Sequence, residues 1–405
     1  MTTKLAIADA RYAPWILVAL LWVAFFLNYA DRQVAFSILP ALQRDLHFTA
    51  VQLGLVGTVF IWVYSLTMPA AGRLADLLPR VLLVAGSLVL WSVAMLGTGT
   101  SESVNGFLLW RGAMGVTEAL YFPAAVALIA SHHSASARSR ALAIHQSAQL
   151  AGGAAGGWFG GWMADNIGWQ NGYRSLAWTG IAYAAILYLA LRKLPPPPTA
   201  VATDRIKRSS YPMDIFHSLP MNLLLAAFFF HCGVLWMIYA WLPHHIYSRY
   251  GLSMTQSGVI GTLYLQSSSF VGIMLGGYLG DRLRARPLVA CTGLLLSSPF
   301  AYGLFASQTI EGTIACAIGF GLTAGLMMAN VFASAYEFAG AGNFGFATGM
   351  LNSSGGIAGG AGILMAGYYR DTIGIPNMML AGAGMTMLCA AAVIVAVRAA
   401  RAAKA

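Results

Sequence analysis

The chain has 405 residues and a formal net charge of +10 at pH 7, yet only 9% of its residues are charged and 58% are hydrophobic. A soluble protein carries about 25% charged residues, so this composition excludes a water-facing surface and implies a polytopic membrane protein. The basic excess forms no stripe interleaved with aromatics, which argues against nucleic acid as a partner. Cys232, Cys291, Cys316 and Cys389 stand singly in apolar stretches, so no metal site or disulfide framework is expected.

A helix that crosses a bilayer needs about 20 mostly apolar residues. In chain order, spans are predicted at 14–40, 50–75, 81–99, 104–131, 138–164, 172–192, 219–247, 253–280, 287–306, 309–336, 343–369 and 376–397. The first span leads into Asn28-Tyr29-Ala30-Asp31-Arg32 rather than a small-residue cleavage site, so it reads as a span and not as a secretion signal. Between the sixth and seventh spans, residues 193–218 carry Pro195-Pro196-Pro197-Pro198 and then Asp204-Arg205-Ile206-Lys207-Arg208. This reads as a linker between one six-helix bundle over 1–192 and another over 219–405.

With the N-terminus placed inside, the inner loops and tails collect most of the basic residues, among them Arg73, Arg80, Arg138, Arg140, Lys193 and Arg284. The outer loops hold Arg44, Arg174, Arg249 and Arg370. The positive-inside rule then predicts both termini in the cytoplasm of a multi-pass protein of the cell (inner) membrane. It also accounts for the net charge without an acidic partner.

The two halves repeat. Gly72-Arg73-Leu74-Ala75-Asp76 ends the second span and Gly277-Tyr278-Leu279-Gly280-Asp281 the eighth, 281 − 76 = 205 positions later. The fifth span carries Gly152, Gly153, Gly156, Gly157, Gly160 and Gly161 before Asp165. The eleventh carries Gly355, Gly356, Gly359, Gly360, Gly362 and Gly367 before Asp371, 371 − 165 = 206 positions later. Two independent pairs at almost one offset imply duplicated six-helix halves, as in many secondary transporters, whose binding sites lie near mid-membrane between the halves. The loop motif, with Arg80 four residues after Asp76, resembles that of the major facilitator superfamily, as do the span count, the linker position and the glycine-rich fifth and eleventh helices. The resemblance implies an all-α integral membrane fold of twelve transmembrane helices in two six-helix pseudo-repeats. It also implies gating roles for Asp76, Arg80 and Asp281, with a helix-end cap as the lesser reading of the two aspartates.

Ionisable residues inside a span are costly and mark a pathway by default. Asp31 and Arg32 in the first span and Arg111 and Glu118 in the fourth are such residues. Seven residues turn a helix by about 700°, so Arg111 and Glu118 share one face about 10 Å apart, with Gly115 between them. Asp31 and Arg32 point about 100° apart. The expected arrangement is an Asp31–Arg111 ion pair with Arg32 free to grip a substrate carboxylate. Glu118, with uncharged neighbours on its own helix, is the expected proton carrier. An anion arriving at Arg32 would loosen the arginines' hold on the carboxylates and favour proton uptake.

Asn28-Tyr29-Ala30-Asp31-Arg32, with Arg111, Glu118 and the segment Thr117-Glu118-Ala119-Leu120-Tyr121-Phe122-Pro123-Ala124, resembles the anion:cation symporter family, which includes bacterial sugar-acid transporters and sialin. The resemblance implies proton coupling by Asp31 and Glu118 and carboxylate binding by Arg32 and Arg111. It further places Tyr64, Gln149 and Asn352 where polar substrate contacts are expected. His145 departs from the family pattern; on a stripe with Gln149, Gly152 and Gly156 it reads either as a substrate contact or titrating group, or as a neutral histidine bonded within the bundle. Spinster-like lipid carriers share the Asn-Tyr-x-Asp-Arg segment, so the first span alone leaves the subfamily open.

No HExxH or GxSxG motif is present, and an intramembrane enzyme is not expected. The expected function is proton-coupled symport of a small organic anion such as a sugar acid by alternating access, with proton-coupled export of an amphiphilic drug or lysolipid as the alternative. The expected partners are the organic anion, protons and the lipid bilayer, with no cofactor beyond the proton gradient. The superfamily resemblance implies a monomer.

Overall fold

A computed structural model describes residues 12–194, 218–339 and 344–402. They form fourteen helices: α1 (Ala13–Ser37), α2 (Leu39–Asp45), α3 (Ala50–Leu77), α4 (Arg80–Gly99), α5 (Val104–Ala119), α6 (Tyr121–His132), α7 (Ala135–Asn166), α8 (Trp169–Leu191), α9 (Leu219–Tyr250), α10 (Met254–Leu283), α11 (Arg286–Ala306), α12 (Ile310–Ala339), α13 (Phe344–Tyr369) and α14 (Ile375–Ala402). Counting α5 and α6 as one, ten of them are long and apolar enough to cross a membrane. The glycine-rich α7 and α13 complete twelve crossings. The linker predicted at 193–218 lies outside the described residues from 195 to 217.

Two predicted spans are interrupted, and proline accounts for both. A proline ring removes one backbone N–H and clashes with the carbonyl four residues earlier. Pro40 ends the first span at Ser37 and starts the short α2; Pro123 divides the fourth span at Leu120 into α5 and α6. Helix starts repeat between the halves. Thr49 and Gln52 form a reciprocal capping box on α3, and Ser253 and Gln256 form the same box on α10, 253 − 49 = 204 positions later. The turns after α7 and α13 both use a glycine at positive φ, Gly168 (79°) and Gly374 (81°).

The doubled glycines of α7 serve two neighbours. Gly152, Gly156 and Gly160 lie against the α1 backbone at Phe26, Ala30 and Val34, within the same half. Gly153, Gly157 and Gly161, one position round, lie against Gln266, Thr262 and Met254 of α10, in the other half. α13 repeats the scheme, with Gly359 and Gly362 against Trp236 and Gly233 of α9, and Gly356, Gly360 and Gly367 against Ser65, Trp62 and Ala50 of α3. Absence of a Cβ lets helix axes approach closely where lipid supplies no hydrophobic drive for association.

These cross-half contacts lie at the membrane's middle and at the end away from the linker. There Asp165 accepts from the backbone N–H groups of Met254 (3.3 Å) and Thr255 (2.7 Å) and from Thr255 Oγ1 (2.6 Å). Thr58 Oγ1 donates to the Gly360 carbonyl (2.9 Å), Trp62 Nε1 to the Ile357 carbonyl (3.2 Å) and Gln33 Nε2 to the Tyr239 carbonyl (3.2 Å). Towards the linker end, the Cα atoms of Gly72 on α3, Gly277 on α10 and Gly349 on α13 face open space. The contacts named above join the halves at the middle and the far end, while these three glycines leave room beside them at the linker end.

A side chain on Gly157 would collide with Thr262 and reach to 2.8 Å from the Gly258 carbonyl. Gly157→Leu should hold the far end apart. Spin labels at Asn166 and Arg249 should then report a longer distance than in the parent protein; an unchanged distance would mean that the glycine contact does not control closure.

Candidate functional site

Two arginines, Arg32 of α1 and Arg111 of α5, meet α3. Arg32 Nε donates to Glu118 Oε2 at 2.8 Å, and the two side chains are 7% and 0% exposed. The Arg32 guanidinium also lies over three rings: Tyr64 at 4.4 Å, Tyr29 at 4.6 Å and Phe60 at 5.0 Å from the ring centroids. Cation–π contacts of this kind contribute up to about 2 kcal/mol each when water is excluded. Arg32 is thus held in an aromatic box closed by one carboxylate, which takes only one of its five N–H donors.

Gly115 brings the elements together. Its Cα lies against the Phe60 carbonyl and Tyr64 amide of α3, so the backbones of α5 and α3 nearly touch. That approach turns the common face of Arg111 and Glu118 onto α3. Arg111 is fully buried; its Nε donates to the Val56 carbonyl at 3.2 Å, and its guanidinium lies over the same Phe60 ring at 4.7 Å.

The pairing differs from the sequence expectation. Arg111 is held by a backbone carbonyl and a ring, not by Asp31, and the arginine that holds a carboxylate is Arg32. The roughly 100° between neighbouring helical residues explains this. α1 turns Arg32 towards α3 and α5, which sends Asp31 towards Trp91 of α4. Asp31 is buried and makes no ion pair among the described residues. Glu118, expected among uncharged neighbours, is the carboxylate with a cation.

Two hydrogen-bonding atoms beside the pair, Asn28 Oδ1 and Arg111 Nη2, are buried without a partner among the described residues, and the Asn28 amide lies next to the Glu118 carboxylate. Folded proteins satisfy nearly all such groups, so these atoms are candidates for contact with a ligand. Across the interface, Gln266 Oε1 and His231 Nε2 are also unpartnered. Tyr29, Phe60 and Asn28 were not singled out from the sequence. The available signal was spacing, since Tyr29 lies three residues before Arg32, and Phe60 four before Tyr64, on their respective helix faces.

The remaining candidates divide. Tyr64 is at the site, on Arg32. Asn352 is exposed on the α3-facing stripe of α13, one turn beyond the Gly356–Ser65 contact, at the edge of the opening. His145 is not at the site. It is fully buried within the N-terminal bundle, stacked on Phe25 (4.5 Å between centroids), with Nε2 3.1 Å from the Tyr121 hydroxyl. Tyr121 donates its proton to the Leu21 carbonyl at 2.6 Å, so His145 Nε2 carries the hydrogen and donates to the tyrosine oxygen. The stripe it shares with Gln149, Gly152 and Gly156 faces α1, because the glycines are needed there for packing.

The expected gating residues make no ion pair across the halves among the described residues. Asp76 is exposed and makes no ion pair among the described residues. Arg80 reaches the Ala127 carbonyl at 3.5 Å, and Asp281 pairs with Arg286 at 2.7 Å.

A family model described as Major Facilitator Superfamily matches residues 21–267 and 224–405. Human protein spinster homolog 1 is 32% identical over 319 residues, which covers 71% of this chain and 59% of that protein, so the chain matches less than two thirds of that relative. The probable sulfoacetate transporter of Cupriavidus necator is 24% identical over 395 residues, covering 91% of this chain and 90% of its own. Among solved structures, a bacterial homolog of the human lysosomal transporter spinster, in an inward-facing and occupied conformation, superposes with a TM-score of 0.81 at 17% identity, over 96% of this chain and 98% of that one.

Removing one partner of a buried ion pair strands the other, at a cost of about 3–5 kcal/mol. Arg32→Ala and Glu118→Ala should each lower the melting temperature of the purified protein. Arg32→Ala/Glu118→Ala should recover part of the loss; additive losses in the double variant would show that the pair does not act as a unit.

Proposed function

The chain belongs to the major facilitator superfamily, and on that premise we propose that it is a proton-coupled symporter of a small organic anion, such as a sugar acid or another carboxylate. The observation that carries this reading is the buried Arg32–Glu118 pair inside its aromatic box. In the state described, the carboxylate of Glu118 occupies the place that a substrate carboxylate would take on Arg32. An arriving anion competes for the guanidinium, which can offer two parallel N–H groups to an oxyanion. Once displaced, Glu118 loses its cation in a dry environment and takes up a proton. Anion and proton then cross together, and release of the anion lets Glu118 return to Arg32 and shed its proton.

Asp31, which has no cation of its own in this conformation, is a second proton carrier in this scheme. Arg111 supplies fixed positive charge and an open Nη2. Gln266 and His231, from the second half, offer hydrogen-bonding atoms for hydroxyls or the body of the substrate. The likeness to a probable sulfoacetate transporter supports an anionic substrate. The basic loops support an orientation with the linker end in the cytoplasm of the inner membrane, and the opening is then inward-facing. No cofactor beyond the proton gradient is required, and a monomer suffices because one chain supplies both halves.

A second reading, proton-coupled export of an amphiphile, is favoured by the higher identity to human spinster homolog 1. The two differ in what Arg32 does, since an amphiphile without a carboxylate has no use for it.

Uptake into proteoliposomes, with and without an inward proton gradient, separates these readings. One class of organic acid should accumulate and a protonophore should abolish the accumulation; movement of an amphiphile instead would favour export. Arg32→Ala should weaken anion binding by roughly 10–100-fold, the worth of a charge-assisted hydrogen bond. Glu118→Gln, which keeps shape but not charge, should retain exchange of internal for external anion while losing gradient-driven accumulation. Equal loss of both activities would remove Glu118 from the coupling step.

A further inference from the structure

A cavity of about 360 Å³ opens at the linker end of the N-terminal half, away from the Arg32–Glu118 site. Its walls are apolar: Leu17 of α1, Val81 of α4, Leu128 of α6 and Leu191 of α8. Its charged lining is Arg80, the first residue of α4, and Arg192, the residue that ends α8, joined by His132 at the end of α6. No aspartate or glutamate lines it. Neither arginine makes an ion pair among the described residues, and the longest-range bond of Arg80 is to the Ala127 carbonyl at 3.5 Å. His132 uses Nδ1 against the Leu128 carbonyl at 2.9 Å, which leaves Nε2 for another partner.

The other half provides a contrast at the same end. A cavity between α10, α11 and α12 also holds two arginines, Arg284 and Arg286, but Asp281 and Glu337 line it with them, and Asp281 pairs with Arg286 at 2.7 Å. Charge there is balanced by the protein. In the N-terminal cavity no acidic side chain among the described residues balances the arginines, which leaves them available to an anion from outside.

We propose that the N-terminal cavity binds the phosphate group of an anionic phospholipid from the linker-side leaflet. The cavity lies at the ends of membrane-crossing helices, where headgroups are found, and basic pockets between such helices suit anionic headgroups. On α8, the exposed Leu189 lies three residues before Arg192, about 60° round the helix from it, where it can receive the start of an acyl chain. The apolar walls favour a lipid over a free phosphate ion, which would gain nothing from four aliphatic side chains. A headgroup held by Arg80 would engage the arginine of the loop motif, which ties lipid occupancy to the gating end of the first half. The proposal does not depend on which substrate the central site carries.

Native mass spectrometry of the full-length protein in detergent tests this, with phosphatidylglycerol and phosphatidylcholine as probes. Phosphatidylglycerol should bind roughly tenfold more tightly than phosphatidylcholine, as expected for one charge-assisted contact. Arg192→Gln should remove that preference and Arg192→Lys should keep it. Arg192 is exposed at a helix end, and an unchanged melting temperature of Arg192→Gln in phosphatidylcholine checks that the variant is folded. Equal binding of the two lipids by the parent protein, or an unchanged preference in Arg192→Gln, would overturn the proposal. Displacement of phosphatidylglycerol by millimolar inorganic phosphate would overturn the lipid assignment in favour of a soluble-anion site.

Discussion

The molecule is organised around one electrostatic constraint: a guanidinium at mid-bundle has to be neutralised by protein. Isolated charges cannot be held in a medium of low dielectric, and a single removed partner costs several kcal/mol. Arg32 meets the constraint with one carboxylate at 2.8 Å and three ring faces. The ring faces come from α1 and α3 and the carboxylate from α5, so these three helices must converge there. Gly115 permits that convergence, and the close backbone approach it allows also commits Arg111 to the Val56 carbonyl. Beside the neutralised pair, Asn28 Oδ1 and Arg111 Nη2 keep hydrogen-bonding capacity that no described residue uses.

The second organising feature is the paired glycines of α7 and α13. One glycine of each pair cements a helix into its own half, and the next joins the opposite half. Contacts of the first kind are required whenever the bundle is folded. Contacts of the second kind are the ones that the proposed transport cycle would break, and they include hydrogen bonds such as those of Asp165. Gln33 links this seam to the charged site, since it follows Arg32 directly and bonds to the Tyr239 carbonyl of the other half. A change at Arg32 therefore has a short physical route to the interface.

The halves share a scaffold but not a chemistry. Capping boxes at Thr49 and Ser253, and positive-φ glycines at 168 and 374, preserve the duplication in the backbone. The charged residues do not repeat: the positions equivalent to Arg111 and Glu118 are Ala317 and Ala324. Asn330, a polar residue of the second half, holds α12 to α10 through the Gly276 carbonyl at 2.8 Å. One half carries the buried charges, and the other contributes packing and a few neutral polar groups.

The sequence by itself determined the membrane fold, the twelve crossings, the duplication and the identity of the four buried charged residues. These follow from local quantities: apolar run length, loop charge, and repeat offsets that survive without knowledge of any contact. Proline positions marked the interruptions at Ile38 and Leu120, though only the structure showed that the chain breaks there. Tertiary structure alone decided which charges pair, because neighbouring residues such as Asp31 and Arg32 differ only in direction, and direction depends on how α1 is rotated against α3 and α5. It also removed His145 from the site, since the stripe that carries it is the one whose glycines pack on α1. Which end of the molecule is open lies beyond sequence for the same reason: both ends carry glycine-lined faces, and only the packed arrangement shows which pair of faces is in contact.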